Sequence, residues 1–401
     1  MQILFLILIA YLFLPVIGEL YLILSGETIA SGEVNWDLFA QNLTFSSLII
    51  FIIFFGFHFL NMKRSKELGF ISDHKDKRTL FRVSIIMTII FILVFIFSGY
   101  DYLVKGQSRG DIRVGLGLLG FFYKWLIGYA TPLLMFITSI IYIRNIKTVN
   151  KSLILYIYIL AAISSIFTGY KYVVVFTFLP VFFVYFYNKN IIKSVIYIVP
   201  IVLLFLVFTT KMVMSFDTYS RAFDFLIHRM TVMSAYGTVG VYNYYPNGAD
   251  FNEWIKTSYS MFGNKINSFV FGIDFNSFDA LDANLARKIT FMVYPAWETA
   301  LSGTANLTVT NFGEAIFILG RYNFLYAIFA GLFVLFFINK LVFHVSRGNL
   351  IKSALFLIYI LSVILSWFNS SSIFTLFSLP VILYMSMSYI FLIFVLRAKI
   401  T

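Results

Sequence analysis

Residues 75–99 read KDKRTLFRVSIIMTIIFILVFIFSG. Lys75, Lys77, Arg78 and Arg82 crowd the start, and no charge follows as far as Gly99. A run of about 20 apolar residues matches the hydrocarbon thickness a helix must cross. Its cationic flank belongs on the cytoplasmic side. The pattern recurs along the chain, with apolar runs at about 3–24, 43–61, 81–99, 116–143, 153–168, 172–187, 191–209, 322–339, 353–369 and 373–396. The reading predicts an all-α polytopic membrane protein of about ten transmembrane helices. The first run leads into another span rather than a small-residue cleavage site, so it is read as retained.

Composition excludes the alternatives. Of 401 residues, 60% are hydrophobic, 20% aromatic and 12% charged, and mean hydropathy is +0.89. So few charges cannot solvate the surface of a soluble domain, which removes a soluble enzyme, a nucleic-acid binder and a disordered tail. The absence of Cys removes thiol catalysis, haem thioether links, zinc thiolate sites and disulfides.

An even number of spans puts both termini on one side. With that side cytoplasmic, the inner loops and tail carry 17 Lys and Arg and the short outer loops 4. The positive-inside rule therefore sets the orientation, and the net charge of +12 reports topology rather than an anionic polymer as partner. The chain divides into spans one to seven (1–209), a large outer loop (210–311) and spans eight to ten (312–401). No repeat of fixed period and no matching halves are visible, which counts against an inverted-repeat transporter.

Basic groups on the outer side are the informative ones, because the rule disfavours them there. Arg109 and Arg113 precede the fourth span, Lys124 lies within it, and Lys171 sits in the turn TGYKY. Held near hydrocarbon, such cations call for an anion, or else they snorkel to the interface and pair with Asp101 or Asp111. In the loop, DTYSRAFDFLIHRMTVMSAYG (217–237) reads as an amphipathic helix that the punctuation at Tyr245–Asp250 ends. A helix from Tyr219 would set Arg221, Asp224 and His228 within about 60° of one face, with Arg229 on the flank. Arginine forks suit phosphate oxygens, and a histidine beside them can exchange protons near neutral pH. The alternative is an Arg–Asp pair with a passive His.

Glu314 and Arg321, seven residues apart, would face the same way on a helix entering the membrane. There Glu314 could act as a base or orient a hydroxyl, or it could close a capping box with Asn311 as N-cap. Apart from Lys124 the spans read as almost free of charge. Tyr236, Tyr244 and Trp254, with other loop aromatics, could stack on sugar rings or form an interfacial belt. Motifs for metal-bound nucleotides, zinc, P-loops and hydrolase elbows are missing. The acidic pair Asp279 and Asp282 reads as a loop-helix cap, so no metal is expected.

About ten spans with one large outer loop late in the chain resemble the Wzy-type O-antigen (oligosaccharide repeat unit) polymerases, over the whole chain in topology. Those enzymes carry R-x10-G motifs in two outer loops, and Arg109–Gly120 and Arg229–Gly240 have that spacing. The segment TNFGEAIFILGRYNFLYAIFAGLF (310–333) resembles their exit from the large loop. TGYKY stands where relatives have a Gly-Ser-Arg turn, and Lys171 keeps the charge there but loses the fork.

The resemblance implies a GT-C-like, metal-independent glycosyltransferase of the bacterial inner membrane with no cofactor and its active site facing the periplasm. It implies an undecaprenyl-diphosphate-linked glycan as donor, a lipid-linked repeat unit as acceptor, surrounding membrane lipid, and a chain-length regulator protein as partner. Arg109, Arg113, Lys171, Arg221, Arg229 and Arg321 would hold the diphosphate, and Glu314, His228 or Asp224 would serve the acceptor hydroxyl. The rival readings are an O-antigen ligase, a flippase or transporter of lipid-linked sugar, and a structural assembly subunit.

Overall fold

The computed structural model describes residues 2–61, 69, 76–103, 105, 116, 119–168, 171–187, 191–274, 277–293, 307–370 and 372–397. Among these the secondary structure is helical, apart from one isolated bridge between Ile29 and Gly32. Seven candidate spans are long and apolar enough to cross a membrane. They are α1 (Gln2–Ser25), α2 (Trp36–Asn61), α3 (Asp76–Gly99), α4 (Leu119–Arg144), the stretch Asn311–Ser346, α15 (Leu350–Asn369) and the stretch Ile373–Leu396, most of which is α16 (Leu379–Arg397). Three apolar helices stand where the fifth, sixth and seventh spans were expected: α5 (Lys151–Phe167), α6 (Lys171–Tyr185) and α7 (Ile191–Met214). Their apolar stretches Lys151–Phe167, Val173–Tyr185 and Val199–Met212 are shorter than the seven.

The helix α4 forms the centre, with Leu133, Leu134, Met135, Phe136 and Ile137 fully buried. The rim points large apolar side chains outward: Phe51, Phe54, Phe55 and Phe59 on α2, and Ile382, Leu383, Ile390 and Phe394 on α16. In water this would be unstable. Against acyl chains it is the expected outer surface. Gly56 of α2 takes Leu335 and Gly331 of the stretch Asn311–Ser346 takes Ile52, so the two backbones approach closely, as small residues allow in membranes. Wide π turns interrupt α3 at Phe95–Gly99, α4 at Leu126–Ala130 and α15 at Ile360–Ile364. Ser362 donates to the Gly128 carbonyl oxygen at 2.9 Å, which ties two of these turns together.

The described residues between 215 and 310 gather at the end of the bundle where α1 stops and α2 begins, here called the loop end. The amphipathic segment forms α8 (Tyr219–Met230), capped by Thr218, whose side chain accepts from the Arg221 amide. It does not run on as one helix. The chain breaks at Thr231 and α9 (Val232–Tyr244) follows, ending at Tyr245 where the punctuation was expected. The described residues that follow hold α10 (Phe251–Lys256), α11 (Asn264–Phe271) and α12 (Leu285–Val293), with a tight 3-10 turn at Thr257–Met261 and a four-residue helix at Asp279–Asp282. Part of the region is core, for Val239, Val241, Leu285, Ile289, Leu307 and Val309 belong to the main hydrophobic cluster.

The largest departure from expectation lies at 311–346. Instead of one helix entering the membrane there are two, α13 (Asn311–Leu319) and α14 (Asn323–Ser346). They are joined through Gly320 at φ +54° and ψ −121°, a conformation that only glycine adopts readily. The Asn247–Gly248 backbone fills the space a side chain would need at Gly320.

Candidate functional site

The chain reversal at Gly320 brings Glu314 to Tyr326. The Tyr326 hydroxyl donates to Glu314 Oε2 at 2.5 Å, Trp367 Nε1 donates to the same oxygen at 3.1 Å, and the Ile373 amide donates to Oε1. Glu314 is 3% exposed. Its two oxygens thus meet three donors from α14, α15 and the turn before α16, the arrangement a buried carboxylate needs to offset its lost hydration. The N-cap of α13 is Thr310, whose Oγ1 accepts from the Gly313 amide at 3.4 Å and lies 2.8 Å from Thr238 Oγ1 on α9. The capping box of Asn311 with Glu314 is therefore corrected: the chain enters the helix one residue earlier, and Glu314 turns toward the bundle. Asn311 is 1% exposed with both amide atoms unpaired among the described residues.

The shared face of Glu314 and Arg321 is also corrected. Gly320 ends the helix between them, so Glu314 is buried and Arg321 is exposed at the loop end. There Arg321 stands near Tyr242, which in turn meets Asp37. The Tyr242 hydroxyl donates to Asp37 Oδ2 at 2.5 Å, Gln41 Nε2 donates to the same oxygen at 2.9 Å, and Asn323 Nδ2 donates to Gln41 Oε1 at 3.0 Å. Partial burial and the bond to Asp37 hold the Tyr242 phenol above its ordinary pKa, while the positive charge of Arg321 opposes them. Asp37 is an exposed carboxylate held by Tyr242 and Gln41. Its only sequence signal was the purely acidic character of the first outer loop.

The spans are not free of buried ionisable groups. Glu19 in α1 is wholly buried; Oε1 accepts from Asn42 Nδ2 at 2.7 Å, and Oε2 has no partner among the described residues. The neighbouring Gly18 lies against the Thr231 carbonyl, so the corner between α8 and α9 rests on this part of α1.

The helix α8 folds back along α7. Lys211 sits 4.6 Å from the Tyr219 ring centre near the turn. Ala222 and Leu226 join Val207 in a small core flanked by Leu203, Leu206 and Met230. The other face keeps Arg221, Asp224, His228 and Arg229 exposed, as the helical spacing predicted. Arg221 pairs with Asp217 at 3.2 Å, and the Arg229 guanidinium lies 5.9 Å from the Phe225 ring centre. Exposed pairs of this kind contribute little stability and leave the cations free to exchange partners.

Other expected residues are placed differently. Arg109 and Arg113 lie outside the described residues. Lys171 begins α6, and its side chain lies outside them too. Lys124 is exposed near the start of α4. Gly240 of the second R-x10-G pair packs in α9 against Ile289 and Val293, within a helix rather than a motif loop. Tyr244 exposes its ring while its hydroxyl donates to the Met292 carbonyl oxygen at 3.1 Å. Tyr236 is half-buried against the core, and Trp254 packs on Phe251 and Phe374 at ring distances of 5.6 and 5.7 Å. Of the three, only Tyr244 presents an open face to a sugar.

Asp279 and Asp282 fall inside a four-residue loop helix, Asp279–Asp282, whose N-cap position is Phe278, so neither carboxylate caps it, and Asp282 pairs with lysines. It binds Lys256 at 2.8 Å and Lys288 at 3.0 Å, and Lys288 also reaches Glu253 at 3.1 Å. Burial alone would raise the Asp282 carboxyl, but the two lysines carry it below its ordinary pKa. Burial likewise disfavours the Lys288 ammonium, yet Asp282, Tyr245 and Glu253 hold its pKa above the usual lysine value. This network ties α10 to α12.

No family model, curated protein or solved structure matches this chain.

Proposed function

We propose that this chain is a membrane glycosyltransferase that polymerises undecaprenyl-diphosphate-linked oligosaccharide repeat units, an O-antigen polymerase. The observation that carries the reading is the charged face of α8. Two arginines, a histidine and an aspartate stay exposed on a helix whose other face packs down along the apolar stretch of α7. Such a face cannot lie against acyl chains. It borders a space filled by water or by phosphate, and that space adjoins the large loop 210–311 that the sequence reading sets outside the bilayer.

In this reading the diphosphate of the donor sits against Arg221 and Arg229, whose forks hold the charge that develops as the glycosyl–oxygen bond breaks. The acceptor hydroxyl attacks the anomeric carbon and gives its proton to His228, with Asp224 one turn away on the same face. Glu314, sealed by its three donors, pins α13 in place instead of meeting substrate. Arg321 and Asp37 stand at the mouth, Tyr244 offers a ring to the sugar, and Arg109, Arg113 and Lys171 are the further cations that the sequence reading puts on the outer side. The helices α5, α6 and α7 complete a threading of ten, GT-C-like, with both termini cytoplasmic and the loop end periplasmic in the bacterial inner membrane. The reaction needs no metal or cofactor. A chain-length regulator protein is the expected partner.

A second reading has its own support. The buried carboxylate Glu19 and the short inward helix α13 are features that transporters of charged substrates use. The envelope glycan of a deletion strain separates the readings. Single capped repeats support the polymerase, uncapped core with accumulated polymer indicates a ligase, and cytoplasmic build-up of lipid-linked units indicates a flippase.

A further inference from the structure

Residues 261–274 carry α11 away from the rest of the loop region. Its second half carries the most exposed large apolar side chain of the described residues: Phe269 is 92% exposed, and Val270 and Phe271 beside it are 60% and 42% exposed. No charged residue lies between Ile266 and Ile273. A soluble surface tolerates single exposed apolar side chains but not three in succession on one tip.

The tip is built. Asn267 Nδ2 donates to the Tyr259 carbonyl oxygen at 2.9 Å, the Ile273 amide donates to the Asn267 carbonyl oxygen at 3.1 Å, and Ser268 Oγ donates to Asp274 at 2.9 Å. The rings of Tyr259 and Phe262 lie 5.1 and 5.2 Å from that of Phe271. Gly272 closes the helix at φ +66°. Such fixed geometry presents the aromatics to something outside the chain.

Its root identifies that something. Gly263 abuts the ring of Pro380 in the first turn of α16, and Ser260 Oγ bonds Ser372 Oγ at 3.1 Å just before that span. The adjoining surface exposes Phe377, Ile382 and Leu383, which is the side of the bundle that faces acyl chains. We propose that residues 262–273 insert into the bilayer leaflet at the loop end, so that Phe269, Val270 and Phe271 sit among lipid chains and anchor the large loop to the membrane surface. An amphipathic segment with aromatic residues on its buried side binds a membrane interface in this way. In sequence, Lys265 and Asp274 bound the uncharged stretch. The inference depends on the membrane-spanning bundle and not on the catalytic reading.

Because the chain has no Cys, a single cysteine can be labelled cleanly. Phe269→Cys and, independently, Val270→Cys would carry an environment-sensitive fluorophore in protein reconstituted into phosphatidylethanolamine–phosphatidylglycerol vesicles. The expected result is quenching by lipids bearing a nitroxide on the acyl chain, comparable with a label at Leu383→Cys, together with protection from aqueous iodide. Iodide quenching comparable with a label at the exposed Asp250→Cys would overturn the proposal. So would efficient disulfide cross-linking between two copies of the Phe269→Cys variant, which would assign the tip to a dimer contact.

Discussion

The hydroxyl of Tyr326 lies 2.5 Å from the carboxylate of Glu314, twelve residues earlier in the chain. On one continuous helix these residues would be about 18 Å apart. Their contact requires the reversal at Gly320, and it converts a carboxylate that could have served chemistry into the pin of a short inward helix.

Replacing Glu314 with Gln should therefore act on the fold first. Gln keeps the shape, but its amide nitrogen meets donors where an acceptor is needed. The expected loss is about 2–4 kcal/mol, as for breaking one partner of a buried charged network. Lower melting temperature in detergent and lower membrane abundance are expected. A variant of normal stability that makes no polymer would return Glu314 to the chemistry.

The reversal itself is tested by Gly320→Ala. The positive φ and the Asn247–Gly248 backbone that crowds the site should cost about 1–3 kcal/mol. Gly128, with open space around it, is the control: Ala there should have little effect on melting.

The contrast shows what the sequence can carry. Apolar runs and cationic flanks were legible because membrane crossing is a property of length and hydropathy. The helix α8 was legible because Thr218 and the spacing of Arg221, Asp224 and His228 are local. The reversal was not, because 311–346 is apolar enough for a straight helix and the deciding contact comes from Asn247, some seventy residues away in the chain. Glu19 escaped for a related reason. One carboxylate barely lowers the hydropathy of a span, and its partner Asn42 lies on the next helix.

Threading is checked by impermeant cysteine labelling. Residues 62–82 and 339–353 should be protected from an outer reagent in intact cells, and exposed positions between 240 and 290 should react. Outside labelling at Asn188 or Lys147 would invert the orientation and move α8 to the cytoplasmic side.

The Lys288–Asp282 network should give the loop region a pH window. Asp282 has its folded pKa depressed, so its stabilisation is present above the ordinary carboxylate value and is lost as pH falls toward the folded one. Lys288 has its folded pKa raised, so its stabilisation is present below the ordinary lysine value and fades as pH rises past it. Proteolysis of residues 251–293 should be slowest near neutral pH and faster at both extremes. In Lys288→Met, cleavage should be faster at neutral pH and the window flatter.

The central claim is that the charged face of α8 handles a lipid-linked diphosphate. Purified protein in vesicles, supplied with undecaprenyl-diphosphate-linked repeat units and a metal chelator, tests it most directly. The wild type should produce a polymer ladder, Arg229→Ala and His228→Gln should each lose it at equal insertion, and Arg229→Lys should restore only part, because a point charge replaces a fork. Absence of any ladder from the wild type while the lipid-linked unit crosses the bilayer, or a full ladder from both loss variants, would contradict the account.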